Sequence, residues 1–368
     1  MKSFKTSHKI IISGGGTGGH IYPAIAIADE IKNRAPETEI LFVGALGKME
    51  MDKVPKAGYS IKGLPIVGLD RGNIAANLKF PLKLYKSLSL AKKIIKEFQP
   101  DVAIGTGGYA SGPLLWQASK QKIPFLIQEQ NSFPGITNKL LKNRASAICV
   151  AYEGITDFPA DKTIYTGNPI RSELFRNLPE RNQAIQTFGL NPSKKVILSV
   201  GGSQGSRTLN NAWKKDLKKL QESGIQLIWQ TGKLDYEQLK KEGFDQEEGV
   251  HLTEFIYDMK MAYAAADCII SRAGAMAISE LALVGKPLIL VPFPFAAEDH
   301  QTKNAQALVA KNAALMLSDK EVPEHLIQRS LELIQNQEQQ KNLSENLIKL
   351  GKPNATKEIV DILWSKLQ

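Results

Sequence analysis

Cysteine is almost missing from the 368 residues: Cys149 and Cys268 are the only two. Each sits in a short apolar run that reads as a buried strand, so both are expected to be packing residues, which excludes a disulfide framework and a thiolate metal pair. Long apolar runs are missing too. No stretch approaches the about 18 consecutive apolar residues that a spanning helix needs. Residues 1–9 are basic but lead only into Ile10, Ile11 and Ile12 and then glycines, without the apolar core of a secretory signal. The chain is therefore expected to stay in the cytoplasm. There is no Walker-type Gly-Lys-Ser/Thr, which leaves phosphoryl transfer from ATP unsupported. An Asp-x-Asp pair and a His/Cys cluster are absent as well, so nothing in the sequence asks for a metal.

What is present is a globular composition, 43% hydrophobic and 23% charged, in a chain long enough for two domains that each bury most of their apolar surface. Three times a short β-branched run leads into a glycine-rich turn and then a helical stretch. Residues 10–12 enter the turn 14–20, with a helix expected from Pro23; residues 102–104 enter 105–113; residues 196–200 enter 201–206. Further apolar strands alternate with helices. This order predicts an α/β protein of two Rossmann-like, doubly wound domains with an interdomain cleft. Turn signals over residues 166–171 suggest domains 1–168 and 169–349, with a terminal helix at about 350–368 packing back on the first. Ligands of such folds sit beyond the carboxyl ends of the strands, where all three glycine turns lie. Glycines there let backbone N–H groups approach phosphate oxygens, and the helix behind favours negative charge.

Gly14-x-Gly16-x-x-Gly19 matches the dinucleotide fingerprint, but the acid wanted near the end of the second strand is replaced by Gly44 and Ala45, which argues against a nicotinamide cofactor. A second nucleotide site is suggested by Ala275, Met276 and Ala277, which open a helix after residues 267–270. Their N–H groups could take a phosphate, and Glu280, about one turn in, could accept from ribose hydroxyls or simply favour the positive end of the helix dipole.

Seven segments, in order, resemble the motifs of the MurG family of bacterial transferases: residues 15–20 (GGTGGH), 107–109 (GGY), 128–131 (QEQN), 166–171 (TGNPIR), 201–205 (GGSQG), 271–275 (SRAGA) and 299–301 (DHQ). Those enzymes add N-acetylglucosamine to undecaprenyl-diphosphate-linked N-acetylmuramoyl-pentapeptide, and the resemblance runs from about residue 10 to 310. It implies a glycosyltransferase-B fold with the donor, UDP-N-acetylglucosamine, in the C-terminal lobe. Ser203 and the 275–277 turn would bind the diphosphate, Glu280 the ribose, the backbone of Ile256 the uracil edge and Gln301 the sugar hydroxyls. Asn131 and Arg171 would close on the donor, and Thr17, Gly18 and Gly19, counted with the donor residues, would face the cleft where the acceptor must lie. Gly16, Thr106, Gly107, Gly108 and Tyr109 fall on the acceptor side. One departure is Met276-Ala277, where some relatives carry leucine and threonine.

The reaction implied is an inverting displacement by the acceptor's C4 hydroxyl, with His20 or Glu129 as general base and the departing diphosphate neutralised by the helix at Ala275 and by Arg171. No cofactor is required, a divalent cation being at most stimulatory. The lipid-linked muramoyl-pentapeptide, an anionic membrane surface and cell-wall synthesis proteins are the expected partners, at the cytoplasmic face of the inner membrane.

The net charge of +10 is unevenly placed, with Lys79, Lys83, Lys86, Lys92, Lys93 and Lys96 against Glu97 alone over residues 77–98. Leu84, Leu88, Ala91 and Ile95 have the spacing of a buried helix face. Ile74, Leu78, Phe80 and Leu82 remain, interleaved with Lys79 and Lys83, and with Trp116 they suit partial insertion into an anionic lipid surface. Nucleic acid is disfavoured, since no stacking aromatics interleave the lysines. Three rivals share these features in part: a transferase acting on another lipid such as diacylglycerol, a UDP-N-acetylglucosamine 2-epimerase, and a non-catalytic carrier-lipid binding module.

Overall fold

The computed structural model describes residues 8–68, 74–170, 177–202 and 204–367. Two expected site residues, Arg171 and Ser203, lie outside the described residues, as does the side chain of Ile74. The chain divides into two compact units, Met1–Arg171 with Lys352–Gln368, and Ser172–Gly351.

In the first unit a parallel sheet is built from β1 (Lys9–Ser13), β2 (Glu39–Ala45), β3 (Ser60–Leu64), β4 (Val102–Gly105), β5 (Phe125–Glu129), β6 (Ala147–Val150) and β7 (Thr163–Tyr165), in the order β3-β2-β1-β4-β5-β6-β7. The period-two alternation of a strand explains why the isoleucine run suits its centre: Ile11 enters the core on one face, Ile10 and Ile12 that on the other. Helices α1 (Gly18–Arg34), α2 (Glu50–Lys56), α3 (Phe80–Phe98), α4 (Ser111–Lys120) and α5 (Ile136–Leu141) follow the strands. The C-terminal helix Ala355–Ser365 lies on α1, with Ile359, Val360 and Leu363 in the same core as Ile10 and Ile12, and Arg34 donates to Asp361 at 2.5 Å.

Two expectations need correction. The first helix starts at Gly18, five residues before Pro23. Proline cannot donate to the carbonyl four residues back and its ring crowds it; here that residue is Gly19, in the first turn, where there is no side chain to add to the crowding. His20 thus belongs to the helix and not to the tip of the glycine loop. Phe80, expected at a lipid-facing tip, is half-buried against the core beside Leu84, Leu90 and Phe98.

The second unit repeats the plan with β8 (Val196–Val200), β9 (Gln226–Gln230), β10 (Val250–Thr253), β11 (Cys268–Ser271), β12 (Leu288–Leu290) and β13 (Leu315–Met316), in the order β10-β9-β8-β11-β12-β13. Its core joins Ile197, Trp229, Ile270 and Ile289 to Trp213 of the helix Arg207–Glu222 and Leu326 of the helix Val322–Gln335. Both tryptophans are fully buried with their indole N–H satisfied, Trp213 on Ser199 Oγ and Trp229 on Asn210 Oδ1, each at 2.9 Å. Cys149 and Cys268 are free and buried, and burial pushes both thiols up to about 12. In each unit the strand order reverses once, between β1 and β4 and between β8 and β11. Doubly wound sheets bind ligands beyond the carboxyl ends of the strands at such points.

Candidate active site

At the first of these points the turns after β1 and β4 press together. A Cβ on Gly108 would lie 2.1 Å from the Gly15 carbonyl oxygen, and Gly107 and Gly108 have φ of +97° and +80°, so only glycine fits either demand. Tyr109 covers the turn, its hydroxyl 3.1 Å from where a Cβ on Gly16 would stand. Thr106 is fully buried and donates from Oγ1 to the His20 carbonyl at 2.7 Å, so its hydroxyl clamps the two turns. Gly16 donates its N–H to Glu50 Oε2 at 3.0 Å, while Glu50 Oε1 accepts from Ala45 N at 2.9 Å. That carboxylate is fully buried and fixes the loop from beneath.

Thr17 is the extended N-cap of α1 and no side chain caps the helix, which leaves its positive end towards Gly18 and Gly19. His20, half-buried in the first turn, has Nδ1 3.1 Å from the Gly15 carbonyl oxygen and 3.2 Å from Thr17 Oγ1. A carbonyl oxygen only accepts, so this contact assigns the proton of the neutral ring to Nδ1 and the lone pair to Nε2. Nε2 lies over the bare backbone of Gly107, 3.1 Å from where a Cβ would be.

Glu129, at the end of β5, is buried, with both oxygens engaged. Oε1 accepts from Asn131 N at 3.0 Å and Asn131 Nδ2 at 3.4 Å; Oε2 accepts from Gly135 N at 3.0 Å and Asn138 Nδ2 at 2.8 Å. Burial pushes its carboxyl above the usual carboxylate range, with these donors pulling the other way. The neighbouring amides form a buried lattice: Gln128 Nε2 donates to Asn168 Oδ1 at 3.0 Å, Asn168 Nδ2 to the Gln130 carbonyl at 3.1 Å, and Gln130 Nε2 to the Thr106 carbonyl at 2.6 Å. These motif residues therefore shape the turns from within.

In the second unit the turns after β8 and β9 meet at Gly205, where a Cβ would lie 1.9 Å from the Thr231 carbonyl oxygen. Gln230, buried at the end of β9, donates from Nε2 to the Gly202 carbonyl and accepts on Oε1 from Ile256 N, both at 3.1 Å. The Ile256 N–H is thus engaged. The helix Ala275–Val284 has Gly274 as N-cap with no capping side chain, and its first intrahelical bond runs from Ile278 N to Gly274 O at 2.9 Å. Ala275, Met276 and Ala277 hence form an N-terminal turn of the kind that binds anions. Glu280, one turn in, is hydrogen-bonded to the Tyr263 phenol, and burial pushes its carboxyl up to about 7.

Gln301 opens the helix His300–Val309 with Oε1 accepting from Phe293 N at 2.9 Å and Ala273 N at 3.1 Å. It is reached through Glu298 and Asp299, two consecutive non-glycine residues with φ of +57° and +55°, a conformation that costs on the order of 1 kcal/mol each.

Within the first unit the structure brings together Gly16 to His20 with Thr106 to Tyr109, and links Glu129 and Asn131 to them through Gln130. Within the second it brings the 275–277 turn, Gln301 and the Gln230–Ile256 pair to the carboxyl end of the sheet. Sequence reasoning missed Glu50 and Gln230. Only Glu50 had a signal, an acid five residues beyond Ala45 at the end of β2. On the outer face of the first unit α4 packs against both α3 and α5. Leu78 (82% exposed), Lys79, Leu82 and Tyr85 stand out at and before α3, with Lys83 half-buried, and Ile136 and Leu140 (76% exposed) of α5 are exposed apolar side chains that the sequence did not single out. Trp116 carries Arg144 4.5 Å and Lys120 5.4 Å from its ring centre.

Residues 10–150 match the glycosyltransferase family 28 N-terminal domain and residues 196–359 the glycosyltransferase family 28 C-terminal domain. A UDP-N-acetylglucosamine--N-acetylmuramyl-(pentapeptide) pyrophosphoryl-undecaprenol N-acetylglucosamine transferase of Parabacteroides distasonis is 54% identical over 357 residues, covering 96% of this chain and 97% of that protein. Among solved structures, MurG of Acinetobacter baumannii superposes with a TM-score of 0.81 at 28% identity, over 97% of this chain and 99% of that one. A UDP-N-acetylglucosamine 2-epimerase reaches a TM-score of 0.65 at 14% identity over 97% of this chain and 96% of that one, a likeness of fold alone.

Proposed function

The chain belongs to glycosyltransferase family 28, and from that premise we propose that it moves N-acetylglucosamine from UDP-N-acetylglucosamine to the C4 hydroxyl of undecaprenyl-diphospho-N-acetylmuramoyl-pentapeptide. The product is lipid II, made from lipid I in peptidoglycan synthesis. The observation that carries this reading is the 54% identity to the Parabacteroides transferase across 96% of the chain. It spans the turns of both units, where a single glycine motif would not.

In this reading residues 1–168 take the lipid-linked acceptor and residues 169–349 the donor. The N–H groups of the 275–277 turn, with Ser203 and Arg171, hold the diphosphate; Glu280 accepts from the ribose hydroxyls. Because the Ile256 N–H is tied to Gln230, its carbonyl is the group left to accept from the uracil N3–H. Gln301, with Oε1 occupied by two backbone donors, offers Nε2 to the sugar, and Asn131 closes on the donor. The N-terminus of α1 at Thr17, Gly18 and Gly19, beside Gly16, Gly107, Gly108 and Tyr109, receives the acceptor's negative charge, and Thr106 holds those turns in register.

As the C4 oxygen attacks the anomeric carbon, the bond to the β-phosphate oxygen breaks and its electron pair leaves with UDP. The hydroxyl proton passes to His20 Nε2, the ring nitrogen that the Gly15 contact leaves basic. Glu129 has the role of holding the 130–135 loop, its oxygens being occupied by four donors. Incubation with labelled UDP-N-acetylglucosamine and a short-chain lipid-linked muramoyl-peptide tests the whole reading: transfer supports it, whereas donor epimerisation or binding without turnover would replace it.

The same reading has the protein working peripherally on the anionic cytoplasmic face of the inner membrane. Support comes from the exposed Leu78, Leu82, Tyr85, Ile136 and Leu140, with Lys79 and Lys83 interleaved with the first three along the chain; among the described residues no helix is long and apolar enough to cross a membrane. Each basic residue near an anionic surface contributes about 1 kcal/mol. Lys79→Glu with Lys83→Glu is therefore expected to weaken binding to phosphatidylglycerol vesicles by roughly 30-fold or more, in a sedimentation assay, while turnover of a soluble acceptor stays unchanged. Unaltered vesicle binding would count against this face.

A further inference from the structure

Asp319 lies in the link after β13, more than a hundred residues along the chain from the turn that follows β8, yet its carboxylate joins that turn to two others. Oδ1 accepts from Arg272 Nη1 at 2.6 Å and Oδ2 from Thr208 Oγ1 at 2.7 Å. Arg272 in turn donates from Nη2 to Ser206 Oγ at 2.6 Å, and from Nη1 to the carbonyls of Val291 at 3.2 Å and Pro292 at 3.1 Å. Ser206 Oγ also accepts from Leu209 N at 3.3 Å, capping the helix Arg207–Glu222. Arg272, Val291 with Pro292, Asp319 and Ser206 stand just past the carboxyl ends of β11, β12, β13 and β8, four neighbours in the sheet. One guanidinium–carboxylate pair therefore ties four consecutive carboxyl-end loops. Charge-assisted bonds of this kind are about twice as strong as neutral ones.

We infer that Asp319, acting through Arg272, is a positioning residue for the sugar-nucleotide donor. The two segments that Gln301 Oε1 bridges, at Ala273 and Phe293, flank the segments that Arg272 holds. Releasing Arg272 lets the loop carrying Phe293 drift from the turn carrying Ala273, so the Gln301 amide loses its aim, and the turn after β8 loses its tie through Ser206 Oγ, the N-cap of the helix Arg207–Glu222. Arg272 is committed to protein acceptors, so it sets this geometry without reaching the donor. The inference rests on the donor site assigned above to the second unit.

Asp319→Asn keeps an oxygen for Thr208 but removes the charge opposite Arg272. It is expected to raise the UDP-N-acetylglucosamine KM and the UDP Kd by about tenfold, the scale of one lost charge-assisted bond, leaving acceptor KM and kcat within about twofold. Asp319→Glu should recover part of the loss. Thr208→Val, which removes one hydroxyl contact and keeps the fold, should raise the same two constants about threefold. In a double-mutant cycle, Arg272→Gln with Asp319→Asn should be no worse than Arg272→Gln alone, because the two act as one unit. Unchanged UDP Kd in Asp319→Asn and Thr208→Val, whatever their thermal stability, or additive effects in the cycle, overturn the inference. Wild type that binds UDP by calorimetry but transfers no sugar overturns the proposed activity and leaves the binding comparison standing on its own.

Discussion

His20→Ala is expected to lower kcat by about 10² to 10⁴, the contribution usual for a general base, with the Kd for UDP changed by less than about twofold. The expectation follows from where the ring's two nitrogens point. Nδ1 is anchored on the Gly15 carbonyl oxygen, which fixes the neutral tautomer with its lone pair on Nε2. Nε2 lies against Gly107, in the pair of turns where the acceptor is placed. A protein that used His20 only to bind acceptor phosphate would instead show a raised acceptor KM at nearly normal kcat. Gly107→Ala would place a Cβ 2.8 Å from His20 Cδ2 in a left-handed turn that only glycine fits, so it should displace the ring and the acceptor turn together. It should lower kcat and raise the acceptor KM while leaving UDP binding alone. Glu129→Gln separates the other candidate. With four donors on its oxygens, its replacement should lower thermal stability first, and a kcat loss matching that of His20→Ala at unchanged stability would shift the base role to Glu129.

The parts of this molecule that were legible in the sequence are those set by local pattern. Three β-branched runs entering glycine turns give the parallel sheets, because alternation, turn chemistry and helix period all act within about ten residues. The resemblance of seven ordered motifs reached further, to family and reaction. What stayed hidden depends on partners distant in the chain. Glu50, an acid five residues beyond Ala45, carries a local signal, but only the fold reveals that it is buried and that it accepts from Gly16 as well. Gln230 and Asp319 carry no motif, and their roles exist because loops after different strands converge at one end of the sheet. Pro23 reads as the start of α1 because proline is usual in the first position of a helix, whereas it lies inside one. Phe80 reads as a tip residue because a helical pattern leaves the direction of its first turn open, and the chain entering α3 turns that ring inward.

Donor affinity should fall as pH falls through 7, because Glu280 must be ionised to accept from both ribose hydroxyls. Burial raises its carboxyl to about 7, against a Tyr263 hydrogen bond that lowers it. The Kd for UDP-N-acetylglucosamine, whose diphosphate does not titrate in this range, is then expected to rise about tenfold between roughly pH 8 and pH 6. Stability of the empty protein should move the opposite way. With a folded-state value above that of the unfolded chain, the folded protein holds an extra proton between 4.5 and about 7, so its stability falls as pH rises through that window, by an amount on the order of 3 kcal/mol when complete. Donor binding, which favours the ionised form, should therefore raise Tm more at alkaline than at acid pH. Glu280→Gln removes the titration: it should weaken the donor by about 10- to 100-fold at alkaline pH and flatten both pH dependences. A wild-type Kd that stays constant over this range, or a Glu280→Gln variant that keeps the wild-type slope, would take the ribose contact away from this residue and return it to the simpler role of favouring its helix dipole.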